Sequence, residues 1–312
     1  MPQPPITPLS IADSAQNPEK FARALGACFE RYGFAVIAEH GVATNIIDNA
    51  FDLTRQFFAL PDTTKRKYLV PGGGGQRGYT PFGIETAKGA DRADLKEFWH
   101  VGRNLTPGHR FTPIMPSNLH VAEVHDFDVA TYRLYDAMDT LGLRLLSALA
   151  RYLNLRTDYF DNAVKDGNSI LRLLHYPPVS AQAQGVRAGA HEDINLITLL
   201  LGAEEAGLQL LDREGHWLDI DPPPNCVVVN IGDMLQRLTN HVLPSTTHRV
   251  VNPKPERASH PRYSMPFFQH FAPDFLIETL TSCISAQHPN RYPTPITANG
   301  YLQQRLSEIK LI

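Results

Sequence analysis

After about Asp166 the chain changes its grammar. Short β-like runs follow one another at fairly regular intervals: SILRLLHY, NLITLLL, GLQLL, HWLDI, CVVVNIG, STTHRVV and RYSMPFFQH. Each is set off from the next by Pro, Gly, Asn or charged residues. Many short strands with turn signals between them point to a sandwich or barrel. The expected core is a jelly roll (a double-stranded β-helix) over residues 166–275.

The region before it reads differently. Residues 17–32 place Phe21, Leu25, Cys28 and Phe29 at helical spacing. GFAVIAEHG follows as a strand ended by Gly41, and residues 45–59 form a second helix that stops before Pro61. A loop-rich stretch runs from Val70 to Pro116. Tyr132, Tyr135, Met138, Leu141, Leu145 and Leu149 then mark a long spine helix. Near the end, Leu302, Leu306 and Ile309 give a packing or lid helix. The fold class is therefore mixed α+β: a helical layer over 1–165, the core over 166–275 and a helical segment over 276–312. The first two parts are expected to share one hydrophobic core.

Composition narrows the function classes. A formal net charge of -3 in 312 residues argues against nucleic-acid or polybasic membrane partners. Three scattered cysteines, Cys28, Cys226 and Cys283, form no CxxC pair and no disulfide framework. No signal peptide and no run long enough to span a membrane can be read. A cytoplasmic monomer is expected.

GGGGQRG contains Gly73-x-Gly75-x-x-Gly78, which matches the dinucleotide-binding pattern. That pattern needs a strand before it and a helix after it. Here a helix precedes it, and Pro81 and Gly83 discourage a helix after it, so the run reads as a loop.

GAHEDINLITLLL sets His191, Glu192 and Asp193 before an apolar strand in which only Thr198 is polar. Ionised groups are costly to bury unless they are paired or hold a metal. On a strand, His191 and Asp193 would face one side and Glu192 the other. Such a triplet arises by chance about once in a chain of this composition, so alone it means little. His248, in STTHRVV, could supply a third ligand and complete two histidines and one carboxylate. Arg262 and Ser264, on one face of the last core strand, suit the gripping of a carboxylate.

With these residues in place, the sequence resembles the iron(II)- and 2-oxoglutarate-dependent dioxygenases, in the subfamily of isopenicillin N synthase and many plant oxygenases. GFAVIAEHGV, FFALPDTTKRKY, DLKEFWHVG, LRLLHYPP, His191-x-Asp193, GLQLL, NIGDMLQRLTN, STTHRV and RYS occur in the family's order across nearly the whole chain. The resemblance implies that His191, Asp193 and His248 hold Fe(II). It implies that Arg262, with Ser264 and Tyr176, grips the distal carboxylate of 2-oxoglutarate. With O2, and ascorbate as reductant in vitro, the reaction would give succinate and CO2 while a small molecule is hydroxylated, desaturated or cyclised. Tyr79, Phe82 and Phe268 are candidate substrate contacts.

Departures from the family pattern are Glu192, Leu174 and a longer segment between His248 and Arg262. Four alternatives stay open at this point: an isopenicillin N synthase-type oxidase that does not use 2-oxoglutarate, ethylene- and succinate-forming breakdown of 2-oxoglutarate, a zinc hydrolase and a non-catalytic binding module. His175 and His216 are expected to be structural or exposed. Arg237 and Lys96 should be solvated or ion-paired, and Asp233 should cap or orient its turn.

Overall fold

The computed structural model describes residues 6–85, 93–178, 185–201 and 207–308. Strands in its first half are β1 (Leu9–Ser10), β2 (Phe34–Ala38), β3 (Gly78–Thr80), β4 (Glu97–Gly102), β5 (Ile170–Tyr176) and β6 (Ala188–His191). They continue as β7 (Ile197–Leu201), β8 (Leu208–Leu211), β9 (Trp217–Asp219), β10 (Val227–Ile231), β11 (His248–Val250) and β12 (Arg262–Gln269). A short pair, β13 (Leu276–Ile277) and β14 (Ile296–Thr297), lies beyond. The α-helices are α1 (Asp13–Gln16), α2 (Pro18–Tyr32), α3 (Thr44–Phe58), α4 (Asp62–Lys65), α5 (Phe127–Tyr152), α6 (Asp161–Val164), α7 (Asp233–Leu238) and α8 (Ala298–Glu308).

Two sheets face each other. The larger has the order β1-β2-β10-β7-β12-β5-β4-β3, and the smaller β6-β11-β8-β9. Pairing is antiparallel throughout except between β1 and β2. This is the expected jelly roll, with upstream strands added at both flanks of its large sheet.

Both faces of that sheet are covered, which is why its strands read as unbroken apolar runs. On β10, Val227, Val229 and Ile231 join the core formed with Phe21, Leu25 and Phe29 of α2 and Leu134, Leu141, Leu145 and Leu149 of α5. Val228 points the other way, to Ala188, Leu208, Leu210 and Val250 of the small sheet and to Phe34 of β2. The spine helix runs as its periodicity predicts. It buries Leu134, Met138, Leu141, Leu145 and Leu149 against the sheet.

Local signals fix the first layer. Asn17 caps α2 by accepting from Lys20 N at 3.1 Å, and Pro18 starts it without an N–H to satisfy. Gly33 ends it at φ 67°, where a Cβ would also fall 2.1 Å from Thr246 Oγ1. The glycine run at 72–75 makes turns, with Gly72, Gly74 and Gly75 at positive φ, and no helix follows it.

The stretch 70–116 departs from the loop-rich expectation. It contributes β3 and the fully buried β4, which pairs with β5. The strand was hidden because it carries Glu97 and His100, residues that read as solvent-facing. Both are buried in polar contacts: Glu97 accepts from Lys65 Nζ at 2.7 Å, and His100 Nε2 accepts from Arg172 Nε at 2.6 Å. The last helix forms as α8; Ile309, expected on it, lies outside the described residues.

Candidate metal centre and cavity

His191 ends β6 and His248 begins β11, and the two are direct cross-strand partners. Their rings stand 4.4 Å apart between centroids. Each Nδ1 is held by a backbone carbonyl two residues earlier: His191 by Gly189 O at 2.8 Å and His248 by Thr246 O at 3.1 Å. An Nδ1–H donated to a carbonyl leaves Nε2 with its lone pair free, the form a metal ligand needs.

Asp193 completes the group by a route the strand argument did not foresee. The strand stops at His191, and Asp193 lies on the irregular connection to β7. The backbone holds it there, because Asp193 O accepts from Asp233 N at 2.7 Å. Its Oδ1 lies 3.8 Å from His191 Nε2 and its Oδ2 3.9 Å from His248 Nε2. Ligand atoms of the three residues lie within 4.8 Å of one another.

Asp193 Oδ2 also accepts from Thr198 Oγ1 at 2.6 Å and from Asn230 Nδ2 at 2.8 Å. Thr198 and Asn230 are themselves cross-strand partners on β7 and β10. Burial alone would raise the Asp193 pKa, but His248, His191 and these two donors overcome it and hold the carboxyl below its usual range. Burial, with His248 adding to it, pushes His191 down to about 4, so the imidazole is neutral near pH 7. A carboxylate and two imidazoles directed at one point suit a divalent ion of the Fe(II) type.

Thr198 and Asn230 escaped the sequence reading as functional residues. Their signal was present: each is the lone polar residue in the middle of a buried apolar strand.

A cavity of about 950 Å³ opens over His191 and Asp193. Its walls include Phe98, His100, Arg172 and Phe268 from the large sheet, His270 just past the end of β12, and Leu302, Arg305 and Leu306 from α8. Burial pushes His270 down to about 4 and, with Arg172 beside it, His100 well below its ordinary value. Asp233 ties α8 to the metal turn. Its carboxylate lies 3.3 Å from Arg305 Nε and 3.4 Å from Tyr301 Oη.

Arg262 and Tyr176 are direct cross-strand partners on β12 and β5, as are Ser264 and Leu174. Arg262 Nη1 donates to Ser264 Oγ at 3.1 Å, and its Cζ lies 5.1 Å from the Tyr176 ring centroid. All three are buried, and none borders the cavity; Phe98, which does, packs on Leu174 and Tyr176. Arg187, fully buried and with its Cζ 5.9 Å from the same ring, was not foreseen.

Other expected residues fall as follows. Tyr79 borders the cavity, but its hydroxyl is bound to Glu97. Phe268 borders it too, with the Arg172 guanidinium 5.2 Å from its ring. Phe82 is 47% exposed and outside the cavity wall, because it sits on the turn after β3. Glu192 is exposed at the rim of the cavity and accepts from Thr247 Oγ1 at 2.7 Å. His175 is bound to Glu97 at 2.7 Å and stacked on Tyr263, while His216 is exposed. Lys96 is ion-paired inside the protein, to Glu85 at 2.6 Å and Asp94 at 2.8 Å. Arg237 donates to Thr294 O at 2.7 Å.

A jelly roll with two imidazoles and a carboxylate at its mouth defines the class of non-haem metal oxygenases. Comparison with known proteins makes this specific. Residues 167–271 match the 2OG-Fe(II) oxygenase superfamily, and residues 5–123 match the non-haem dioxygenase in morphine synthesis N-terminal region. The chain belongs to the 2OG-Fe(II) oxygenase superfamily.

The proline hydroxylase buaE of Petromyces alliaceus is 34% identical over 92% of this chain and 93% of its own. A 2OG-Fe(II) oxygenase family protein from Caulobacter crescentus superposes with TM-score 0.92 at 57% identity, covering 97% of this chain and 99% of that one. Full-length T7H of Neurospora crassa, solved with alpha-KG, superposes with TM-score 0.86 at 30% identity, covering 97% and 95%. The protein is thus an Fe(II)- and 2-oxoglutarate-dependent oxidoreductase that uses O2 to oxidise a small molecule. Neither a zinc hydrolase nor a binding module fits that membership.

Proposed function

We propose that His191, Asp193 and His248 hold the iron of this dioxygenase, and that Arg262, Ser264 and Tyr176 bind the distal carboxylate of 2-oxoglutarate. The observation that carries the reading is the His191–His248 cross-strand pair, with both Nδ1 atoms anchored and both Nε2 atoms close to the Asp193 carboxylate. Once bound, the iron supplies the O2-dependent oxidative decarboxylation. The chain's own residues do the rest. Gly189 O and Thr246 O fix the imidazole tautomers, and Thr198 and Asn230 keep Asp193 ionised and aimed.

The Arg262 guanidinium offers a charge-assisted grip on a carboxylate, and the register places Tyr176 directly opposite. The apolar walls limit water around the reacting centre. The substrate is a small molecule that enters the cavity beside Phe268 and Tyr79, with Phe82 nearer the surface, and is hydroxylated, desaturated or cyclised. The reading includes a monomer of the cytoplasm, partnered by neither nucleic acid nor membrane. Supporting it are the net charge of -3, three free cysteines, and the absence, among the described residues, of a helix long and apolar enough to cross a membrane.

The test is succinate release with Fe(II), ascorbate and O2, alongside an anaerobic titration of 2-oxoglutarate into the Fe(II) protein. His191→Ala is expected to abolish turnover. Arg262→Ala is expected to raise the 2-oxoglutarate requirement roughly ten- to a hundredfold, the worth of a charged hydrogen bond. Ordinary turnover in the first variant, or an unchanged requirement in the second, would overturn the assignment.

A further inference from the structure

Five cationic side chains border the cavity: Arg66, Arg77, Lys96, Arg172 and Arg305. Four are paired with carboxylates, two of them sharing Glu85. Lys96 is paired with Glu85 and Asp94, Arg172 with Glu85, Arg66 with Asp62 and Arg305 with Asp233. Arg77 has none among the described residues. It is only 3% exposed, and its Nη1 donates to Gln76 O at 2.7 Å. Its Nε and Nη2 have no hydrogen-bond partner among the described residues.

Those two nitrogens share one edge of the guanidinium, the edge that accepts both oxygens of a carboxylate side by side. Burying a guanidinium without a counter-charge is unfavourable, so a structure that does so at a cavity wall has left room for one. The room is built in. Gly102 sits under the guanidinium, and a Cβ there would fall 1.9 Å from Arg77 Cζ. Burial lowers the Arg77 pKa only to about 10, so it stays charged near pH 7. Asn168 Oδ1, Gln76 Oε1 and Thr80 Oγ1 also lack partners among the described residues, and all three residues border the cavity.

We propose that this end of the cavity binds a carboxylate of the substrate, so that the enzyme oxidises a small carboxylic acid whose acid group is fixed by Arg77. The inference rests on the iron and co-substrate assignment above and deepens it. Ile170, Phe98 and Phe268, on the neighbouring wall, take the apolar part of the molecule.

The test uses protein loaded with Fe(II) and 2-oxoglutarate, held anaerobic and titrated calorimetrically with benzoate, phenylacetate and cyclohexanecarboxylate, each beside its primary amide. Acids are expected to bind roughly ten- to a hundredfold more tightly than their amides. Arg77→Gln should abolish the preference, and Gly102→Ala should do so with the charge retained. The thermal midpoint of ligand-free Arg77→Gln should change little, since no internal carboxylate partner is lost, only the bond to Gln76 O. Acids that bind no better than amides, or not at all, overturn the inference, as does a preference that survives in Arg77→Gln. A sharp fall in its thermal midpoint would make Arg77 a structural residue and also overturn it. Measuring 2-oxoglutarate affinity on the same proteins separates the two readings. Unchanged affinity without acid preference defeats only this inference, whereas affinity lost in Arg77→Gln moves the co-substrate to Arg77 and defeats both.

Discussion

Asp193 divides its carboxylate between two duties. Oδ1 is directed toward His191, while Oδ2 is held by Thr198 and Asn230. Thr198→Val keeps the shape of the side chain and removes one of the two donors. We expect metal affinity to fall roughly tenfold to a hundredfold with the fold intact, the usual effect of losing a group that orients a ligand. Competition with a chromophoric chelator measures it, and unchanged affinity would show that Asn230 alone suffices. Acid offers a second residue-scale prediction. His270 is pushed from 6.5 to about 4, and His100 is also held well below its ordinary value. Between those pH values the unfolded chain binds protons that the folded one refuses, so stability is full above about pH 6.5 and declines as pH falls toward 4. For His270 alone the loss is on the order of 3 kcal/mol across the window. Urea midpoints of the metal-free protein at stepped pH values should fall accordingly; a flat profile would mean that the two rings take up protons in the fold.

At the scale of elements, helices α2 and α5 approach through Gly26, where an added Cβ would lie 2.3 Å from the Tyr152 ring. Gly26→Ala should therefore destabilise the protein by about 1–3 kcal/mol, because overpacking outweighs the helix preference gained. Chemical denaturation reads the change directly, and a stabilised variant would show that the ring swings aside at little cost. Helices of this kind were legible because Tyr135, Met138, Leu141, Leu145 and Leu149 repeat at a helical period on one face. Core strands were legible through their apolar runs and turn formers. Strand β4 was not, because its Glu97 and His100 are satisfied by Lys65 and Arg172, residues distant in sequence. The site divided in the same way. His191, Asp193 and His248 could be named from motif order, but the path of Asp193 depends on the Asp233 amide, and Arg77 stands out only once its neighbours are seen. Local patterns carry periodicity; they do not carry the pairing of distant polar groups.

For the molecule as a whole, α8 closes one side of the cavity, fastened by Arg305 and Tyr301 to Asp233. Arg305→Ala is expected to loosen that helix without unfolding the barrel. Limited proteolysis should then cut near residue 300 several times faster while the thermal midpoint moves little, and equal cleavage rates would argue that Leu302 and Leu306 hold the helix unaided. The larger sheet has a different consequence. Strand β2 lies against β10 on one flank and β4 against β5 on the other, so the segment at 167–271 contributes only the middle of its own large sheet. Such a segment cannot be inherited as a separate cassette. A recombination event that exchanged it between two distant relatives would have to preserve two seams at once, with Phe34 opposite Asn230 and His100 opposite Arg172, or leave both flanks mismatched. Chimeras within this superfamily should therefore survive when β2 and β4 travel with the core, which makes the matched pair of regions, and not either alone, the unit on which descent can act.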